Sequence, residues 1–167
     1  MAESISQSKT DDTMMITDEI KQQLDRCVLC WLATADANGI PNVSPKEMFL
    51  VHGSDRLLIA NIASPVSARN IRQNSNVCVS MVDVFVQKGY KFTGAARIIG
   101  TKEPEFSSFH NLFVQKFGTR FTVGAIIEVT VHSTEPIIAP SYRFFPETTT
   151  EQGQIDQAME RYGVRPR

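Results

Sequence analysis

The sequence offers little that would hold a metal ion or build a disulfide framework. Its 167 residues include three cysteines and three histidines. Cys27 and Cys30 form one CxxC pair at the start of an apolar stretch, without the second pair or nearby histidine that a zinc site needs. Cys78 stands between two valines, as a buried small side chain does. These patterns predict buried thiols and no metal site.

Other absences exclude whole classes of protein. The net charge is -1, from 17 basic and 18 acidic residues, so there is no general attraction for nucleic acid or an anionic membrane. No apolar run approaches the length that spans a bilayer, and the polar start MAESISQSKTDD lacks the features of a secretory signal. GxGxxG and P-loop motifs are missing. We expect a cytoplasmic protein with neither a nucleic-acid nor a membrane partner.

The hydrophobic pattern indicates one domain built mainly of short strands. We expect a disordered polar segment at 1–13 and a single domain over 14–167, which ends in a helix. Period-two alternation is clearest between Phe121 and Val131, and the Asn38-Gly39 pair marks a hairpin turn. Strands joined by hairpins, with a few helices around them, predict a mainly β (α+β) antiparallel barrel rather than a doubly wound sheet.

Three helices are also predicted outside the central segment. Thr17 is a suitable cap for the first, and Pro104 opens a second whose phenylalanines recur at helical spacing, which indicates core packing. Gly163 is placed as the stop of the terminal helix. Residues 28–35 are expected to form a strand buried on both faces, with Trp31 in the core, and 40–51 to form the next strand.

The most informative segment runs from residue 57 to 83. It is predicted to form a strand, a helix opened by Ser64 and Pro65, and a second strand. The Ser64 hydroxyl can cap free backbone N–H groups, and such a helix start also readily holds a phosphate. Further donors follow in its first turns: Ser67, Arg69 and Asn70. Plain capping and phosphate binding both fit this pattern.

The order of these pieces resembles the pyridoxamine-phosphate-oxidase-like flavin-binding split barrels. The resemblance covers roughly residues 17–135 and rests on the order and spacing of its pieces, among them the Ser-Pro-Lys of 44–46 and the Arg-Asn-Ile-Arg-x-Asn of 69–74. It implies a six-stranded antiparallel split β-barrel with Greek-key connections and peripheral helices. It also implies an FMN cofactor and a homodimer with the cofactor at the protomer interface.

The resemblance further implies which residues hold the cofactor. The phosphate would lie between three helix residues, Ser67, Arg69 and Asn70, and three strand residues, Ser44, Pro45 and Lys46. The ring or ribityl chain would lie along Asn61 and Ile62, at the end of the next strand. Gln87 or Lys88 would approach the flavin ring, although a polar turn at a strand start explains these two residues equally well. Family members often carry Lys or Arg where this chain has Val66 and Ser67, which implies weaker or exchangeable flavin binding.

The function implied is that of an FMN-dependent oxidoreductase acting on an unknown small molecule. No side chain stands out as a catalytic acid or base, as expected where a flavin performs the difficult step. The Arg-, His- and Trp-rich end with which the oxidase grips pyridoxine phosphate has no counterpart in residues 139–147, so true pyridoxamine-phosphate oxidase activity is not expected. A non-catalytic flavin-binding or electron-carrier protein is the alternative. The choice among flavin, deazaflavin and haem stays open.

Overall fold

The computed structural model describes residues 15–166, so the disorder predicted for 1–13 lies outside the described residues. Its elements, in chain order, are α1 Asp18–Leu24, β1 Cys30–Ala35, β2 Pro41–Lys46, β3 Phe49–His52, β4 Arg56–Asn61, α2 Pro65–Gln73, β5 Asn76–Asp83, β6 Lys88–Gly100, α3 Phe106–Phe117, β7 Ala125–Ile138, α4 Pro140–Phe144 and α5 Glu151–Tyr162. The mainly β fold with peripheral helices is therefore confirmed.

The strands form one antiparallel sheet in the order β2-β1-β5-β6-β7-β4-β3. There are seven strands instead of the predicted six, because the segment predicted as one strand over 40–51 divides at Glu47 into β2 and β3. These two strands are consecutive in the chain, yet they occupy opposite edges of the sheet. The sheet must therefore curl until its edges approach each other, which produces a split barrel.

Two apolar clusters stabilise this barrel. The first fills the interior with fully buried side chains such as Leu32, Met81 and Phe92. In the second, Phe109 and Phe113 of α3 pack over the outer side of β4 and β7, which confirms the predicted core role of the phenylalanine stripe. Each such side chain contributes about 1.5–3 kcal/mol on burial, so α3 is held firmly against the barrel.

Three local predictions of helix and turn signals are confirmed. Thr17 caps α1, because its hydroxyl accepts a hydrogen bond from the Ile20 N–H. Gly163 ends α5 in the left-handed conformation at φ 64°. The turn between β1 and β2 has Gly39 at φ 80°, and Asp36 accepts hydrogen bonds from two N–H groups within it. These features depend only on near neighbours, which is why the sequence predicted them.

The predicted burial of β1 on both faces is wrong. Trp31 is 46% exposed, because β1 alternates strictly and turns Cys30, Leu32 and Thr34 inward. Trp31 is paired with Pro45 of β2 and Ser80 of β5. We call the outward-facing side of β2, β1 and β5 the outer face; its members are Ala33, Val43, Pro45, Trp31, Cys78 and Ser80.

The strand predicted to begin at Phe121 also starts later than expected. Strand β7 begins at Ala125, and Phe121 lies in the preceding loop with half of its surface exposed. The Phe121 side chain reaches the end of β2 instead, where it lines a cleft with Met48 and Ala60.

Candidate functional site

A cleft of about 450 Å³ opens where β2 ends and α2 begins. It is lined by Ser44, Pro45, Lys46, Glu47, Met48, Ala60, Ile62, Ala63, Ser64 and Phe121. We call it the α2 cleft. Four of the predicted site residues are brought together here: Ser44, Pro45, Lys46 and Ile62. One side of the cleft is apolar, and the other carries a lysine, two serine hydroxyl groups and the carboxylate of Glu47.

Lys46 is the unusual residue of the α2 cleft. It is 6% exposed, and its Nζ donates a hydrogen bond to Ser64 Oγ. Within residues 15–166 no carboxylate forms an ion pair with it. Burial lowers the pKa of Lys46 from its ordinary value, since the charged form is poorly solvated there. A buried ammonium without a counter-ion is costly, so the site favours an anionic ligand.

The start of α2 adds further donors beside Lys46. Pro65 occupies the first helical position as predicted, but the predicted side-chain cap is wrong. The Ser64 hydroxyl makes no capping hydrogen bond and accepts from Lys46 instead. The first-turn N–H groups of this nine-residue helix therefore lack a side-chain cap, and the helix dipole places positive potential at the same point. Such an arrangement suits a phosphoryl group.

Ser67 and Asn70 do not line the α2 cleft. Both are almost fully buried, and they take part in a polar cluster of five residues: Thr34, Asn42, Ser44, Ser67 and Asn70. Only Ser44 belongs to both the cluster and the cleft. Sequence analysis missed Asn42 and Thr34. Their direct pairing across β1 and β2 was not readable before the register was known.

The remaining predicted residues lie outside the α2 cleft. Arg69 is exposed on the solvent side of α2. Asn61 ends β4 next to Ile62, and its side-chain Oδ1 is buried with no hydrogen-bond partner in the described part of the chain. Strand alternation turns Asn61 away from the face on which Ala60 and Ile62 line the cleft.

Gln87 and Lys88 lie in and just after the β5–β6 turn. Gln87 is exposed, with a positive φ of 55°. Lys88 Nζ lies 2.8 Å from a Glu151 carboxylate oxygen and 4.4 Å from the centroid of the Tyr142 ring. This turn is at the same end of the sheet as Lys46, but three strands away, or about 14 Å at the usual strand spacing. One chain therefore does not bring these two residues to the α2 cleft.

The described residues contain no cluster of metal ligands, and the two cysteines of the CxxC pair are buried. Across 15–166 no three His, Cys, Asp or Glu side chains are grouped so that they could hold a metal ion. Burial raises the pKa of Cys27 to about 11 and that of Cys30 to about 12, so both thiols stay protonated near neutral pH. None of the helices described is long and apolar enough to cross a membrane.

The barrel and its cleft define a structural class: a split barrel in which a buried lysine lies beside a helix N-terminus, an arrangement that suits an anion. A family profile for pyridoxamine 5'-phosphate oxidase matches residues 16–144. The chain belongs to this family. No curated protein sequence matches the chain significantly.

Solved structures share the fold. HupZ of Group A Streptococcus superposes with a TM-score of 0.65 at 25% identity, over 75% of this chain and 96% of that one. An FMN-binding protein from Syntrophomonas wolfei has a TM-score of 0.59 at 12% identity, over 71% and 86% of the two chains. HutZ, a heme storage protein from Vibrio cholerae, has a TM-score of 0.59 at 20% identity, over 75% and 95%.

Proposed function

We propose that this protein binds FMN and uses it as an oxidoreductase acting on a small molecule. The observation that carries the proposal is Lys46, a buried ammonium without a carboxylate partner in the described chain, beside the uncapped start of α2. The FMN phosphate would take the position next to Lys46, Ser64 and the first-turn N–H groups of α2. When bound, FMN supplies hydride or single-electron transfer, so the chain itself needs no catalytic acid or base.

The rest of the α2 cleft suits the remainder of such a ligand. Its volume of about 450 Å³ lies within the usual range for small-molecule sites. Apart from Glu47, the walls beyond Lys46 are apolar, formed by side chains that would contact a flat ring or ribityl carbons: Met48, Ala60, Ile62, Ala63 and Phe121. Ile62 is 45% exposed and Phe121 50% exposed, so one chain leaves this wall partly open to solvent.

A second copy of the chain would complete the site. The outer face carries Trp31 and Val43, both about half exposed at 46% and 57%, on adjacent β1 and β2, and a contiguous exposed apolar patch is typical of a protein–protein interface. Pro45 belongs to both the outer face and the α2 cleft, so the two are continuous. We therefore place the cofactor at the interface of a homodimer. Gln87 and Lys88 do not reach the cleft of their own chain. They would contact the flavin ring bound in the cleft of the other copy.

The proposal is tested by titrating the purified protein with FMN while flavin fluorescence is recorded. We expect quenching that saturates at one FMN per chain, weaker binding of riboflavin, and competition by inorganic phosphate. Absence of quenching in protein purified without flavin and then supplied with it would contradict the proposal. Multiple turnovers of flavin reduction by a nicotinamide cofactor support the oxidoreductase. Tight binding without turnover supports the alternative, a non-catalytic flavin or electron carrier.

The homodimer is tested separately with Trp31→Glu. A charge at the centre of an apolar interface has to be desolvated, so we expect this variant to sediment as a monomer where the wild type sediments as a dimer. Trp31→Phe is the matched control, because it keeps an aromatic surface and should keep the dimer. An unchanged sedimentation coefficient for Trp31→Glu would remove the outer face from the interface.

Haem binding is a second candidate, favoured by one further observation. A groove of about 450 Å³ on the outer side of the sheet is lined mostly by apolar surface and includes His132 and Cys78, which are side chains able to ligate haem iron. HutZ, which shares the fold, is a heme storage protein. The absorbance spectrum separates the candidates, because added haemin would give a Soret band that shifts on binding, whereas FMN has two bands in the blue and near ultraviolet.

A further inference from the structure

Behind the α2 cleft lies a chain of hydrogen bonds whose direction can be worked out from donor and acceptor counts. We propose that Asn42, acting through Ser67, is a positioning residue that orients the Ser44 hydroxyl as a hydrogen-bond donor toward an anion in the cleft. This inference rests on the proposed function, since it concerns how the same cleft recognises a phosphoryl group. It adds residues that do not themselves touch the ligand.

The series of hydrogen bonds begins at Asn42, on the side of β2 that is turned toward α2. Its amide nitrogen has two hydrogens and two acceptors, Thr34 Oγ1 at 3.4 Å and Ser67 Oγ at 3.2 Å. Thr34 Oγ1 also accepts from the Asn70 side chain at 3.2 Å, so both of its lone pairs are used. The Asn42 amide nitrogen therefore lies between two hydroxyl oxygens and donates one hydrogen to each.

The next step is decided by Ser67. Its side chain is almost fully buried, at 1% exposed, and Ser67 Oγ lies 2.9 Å from Ser44 Oγ. In the part of the chain that the structure describes, Asn42 Nδ2 and Ser44 Oγ are the hydrogen-bond partners of this hydroxyl. Asn42 is a donor to it and cannot take its proton. Because a buried hydroxyl proton needs an acceptor, Ser67 donates to Ser44.

The hydroxyl hydrogen of Ser44 is then available to be donated to a ligand in the α2 cleft. Ser44 lines the α2 cleft and stands two residues before Lys46, so both side chains lie on the same face of β2. With its oxygen accepting from Ser67, the Ser44 hydroxyl can present its hydrogen to an oxyanion beside the ammonium. The sequence of donations runs from Asn42 to Ser67, from Ser67 to Ser44, and from Ser44 to the ligand. Such a chain strengthens each successive donor.

If Asn42 positions the Ser44 hydroxyl, its removal should weaken binding of FMN more than binding of riboflavin, which lacks the phosphate. In Asn42→Ala the Ser67 proton is no longer directed by a neighbouring donor, and Ser44 spends part of its time donating back to Ser67. We expect FMN binding to weaken about fivefold, while riboflavin binding changes by less than about twofold. A purely structural role would weaken both ligands equally.

A double-mutant cycle tests this series of hydrogen bonds, with FMN and riboflavin affinities measured by fluorescence titration. Ser44→Ala alone should weaken FMN binding about tenfold, and Asn42→Ala in that background should add nothing, because the final donor is already gone. Asn111→Ala, at an exposed position on α3, is the control and should change neither affinity. Asn42→Ser provides a second variant that suits an edge strand if Asn42→Ala folds poorly.

Two outcomes would overturn the inference. If Asn42→Ala lowers both affinities by the same factor, or if its effect adds fully to that of Ser44→Ala, Asn42 does not act through Ser44. A wild type that binds neither FMN nor inorganic phosphate would instead contradict the proposed function. A wild type that binds FMN with an unaltered FMN-to-riboflavin ratio in Asn42→Ala would contradict only the hydrogen-bond chain.

Discussion

Lys46→Met is expected to weaken FMN binding about 100-fold while leaving riboflavin binding nearly unchanged. Riboflavin lacks the phosphate, so it loses nothing when the ammonium is removed. A charge-assisted contact in a buried site contributes about 2–3 kcal/mol, which corresponds to roughly two powers of ten in affinity. Within residues 15–166 Lys46 is the one cation that lines the α2 cleft, so no neighbouring side chain can replace it. Fluorescence titration of both ligands measures the ratio.

The same variant should not destabilise the ligand-free protein. Methionine fills a similar volume without a buried charge, so the free energy of unfolding should stay equal or rise. Lys102→Met is the matched control, because Lys102 is exposed in the loop before α3 and should affect neither FMN affinity nor stability. Equal losses of FMN and riboflavin affinity in Lys46→Met would show that the lysine supports the fold and does not recognise phosphate.

The lowered pKa of Lys46 also gives its contribution a pH dependence of known sign. FMN affinity should fall as the pH rises through that lowered pKa, since the neutral amine no longer attracts the phosphate. For the ligand-free protein the folded-state pKa lies below the unfolded value, so protonated Lys46 costs stability. Its contribution to stability is therefore greatest above the unfolded pKa and is lost as the pH falls through the folded one. Lys46→Met should lack both of these pH dependences. Because the buried thiols are the same in both proteins, the difference in pH dependence between wild type and variant is due to Lys46 alone.

Glu128→Gln is expected to lower the free energy of unfolding by about 2 kcal/mol. Glu128 on β7 is 4% exposed, and its carboxylate accepts hydrogen bonds from Arg56 Nη1 at 3.1 Å and from Arg97 Nε. The hydrogen bond to Glu128 raises the pKa of Arg97. Loss of one buried partner usually costs about 3–5 kcal/mol; the half-exposed arginines reduce that figure because water can solvate them.

Glu135→Gln is the control for this prediction. Glu135 lies further along β7 and pairs with Lys91 at 3.0 Å, but both side chains are about half exposed at 56% and 40%. An exposed pair of this kind contributes less than about 1 kcal/mol. Urea denaturation of both variants gives the comparison. Equal losses of unfolding free energy would mean that burial of Glu128 adds nothing to stability. A changed FMN affinity in Glu128→Gln would mean that the contacts of Glu128 with Arg56 and Arg97 influence ligand binding in the α2 cleft.

Part of the cleft was predictable, and the parts that were not share one cause. The resemblance implied that the Ser-Pro-Lys of β2 lies near the helix that Pro65 opens, and in the structure Lys46 contacts Ser64 at the start of that helix. The capping role of Ser64 failed because Lys46, from a different strand, uses its hydroxyl. Trp31 was assigned to the core because its neighbours are apolar, whereas strand alternation in the folded sheet turns it outward.

The sequence by itself determined the strand-rich class, the turn at Asn38-Gly39, the starts of α1 and α2 and the stop of α5. Each of these depends on residues within about four positions of one another, where spacing and backbone preference act directly. Only the tertiary structure decided that β2 and β3 lie at opposite sheet edges, that Ser67 and Asn70 face a polar cluster, and that Lys46 is buried without a carboxylate partner in the described chain. Burial and pairing are set by residues that are distant in the chain, and their cost or gain exists only once the barrel has closed.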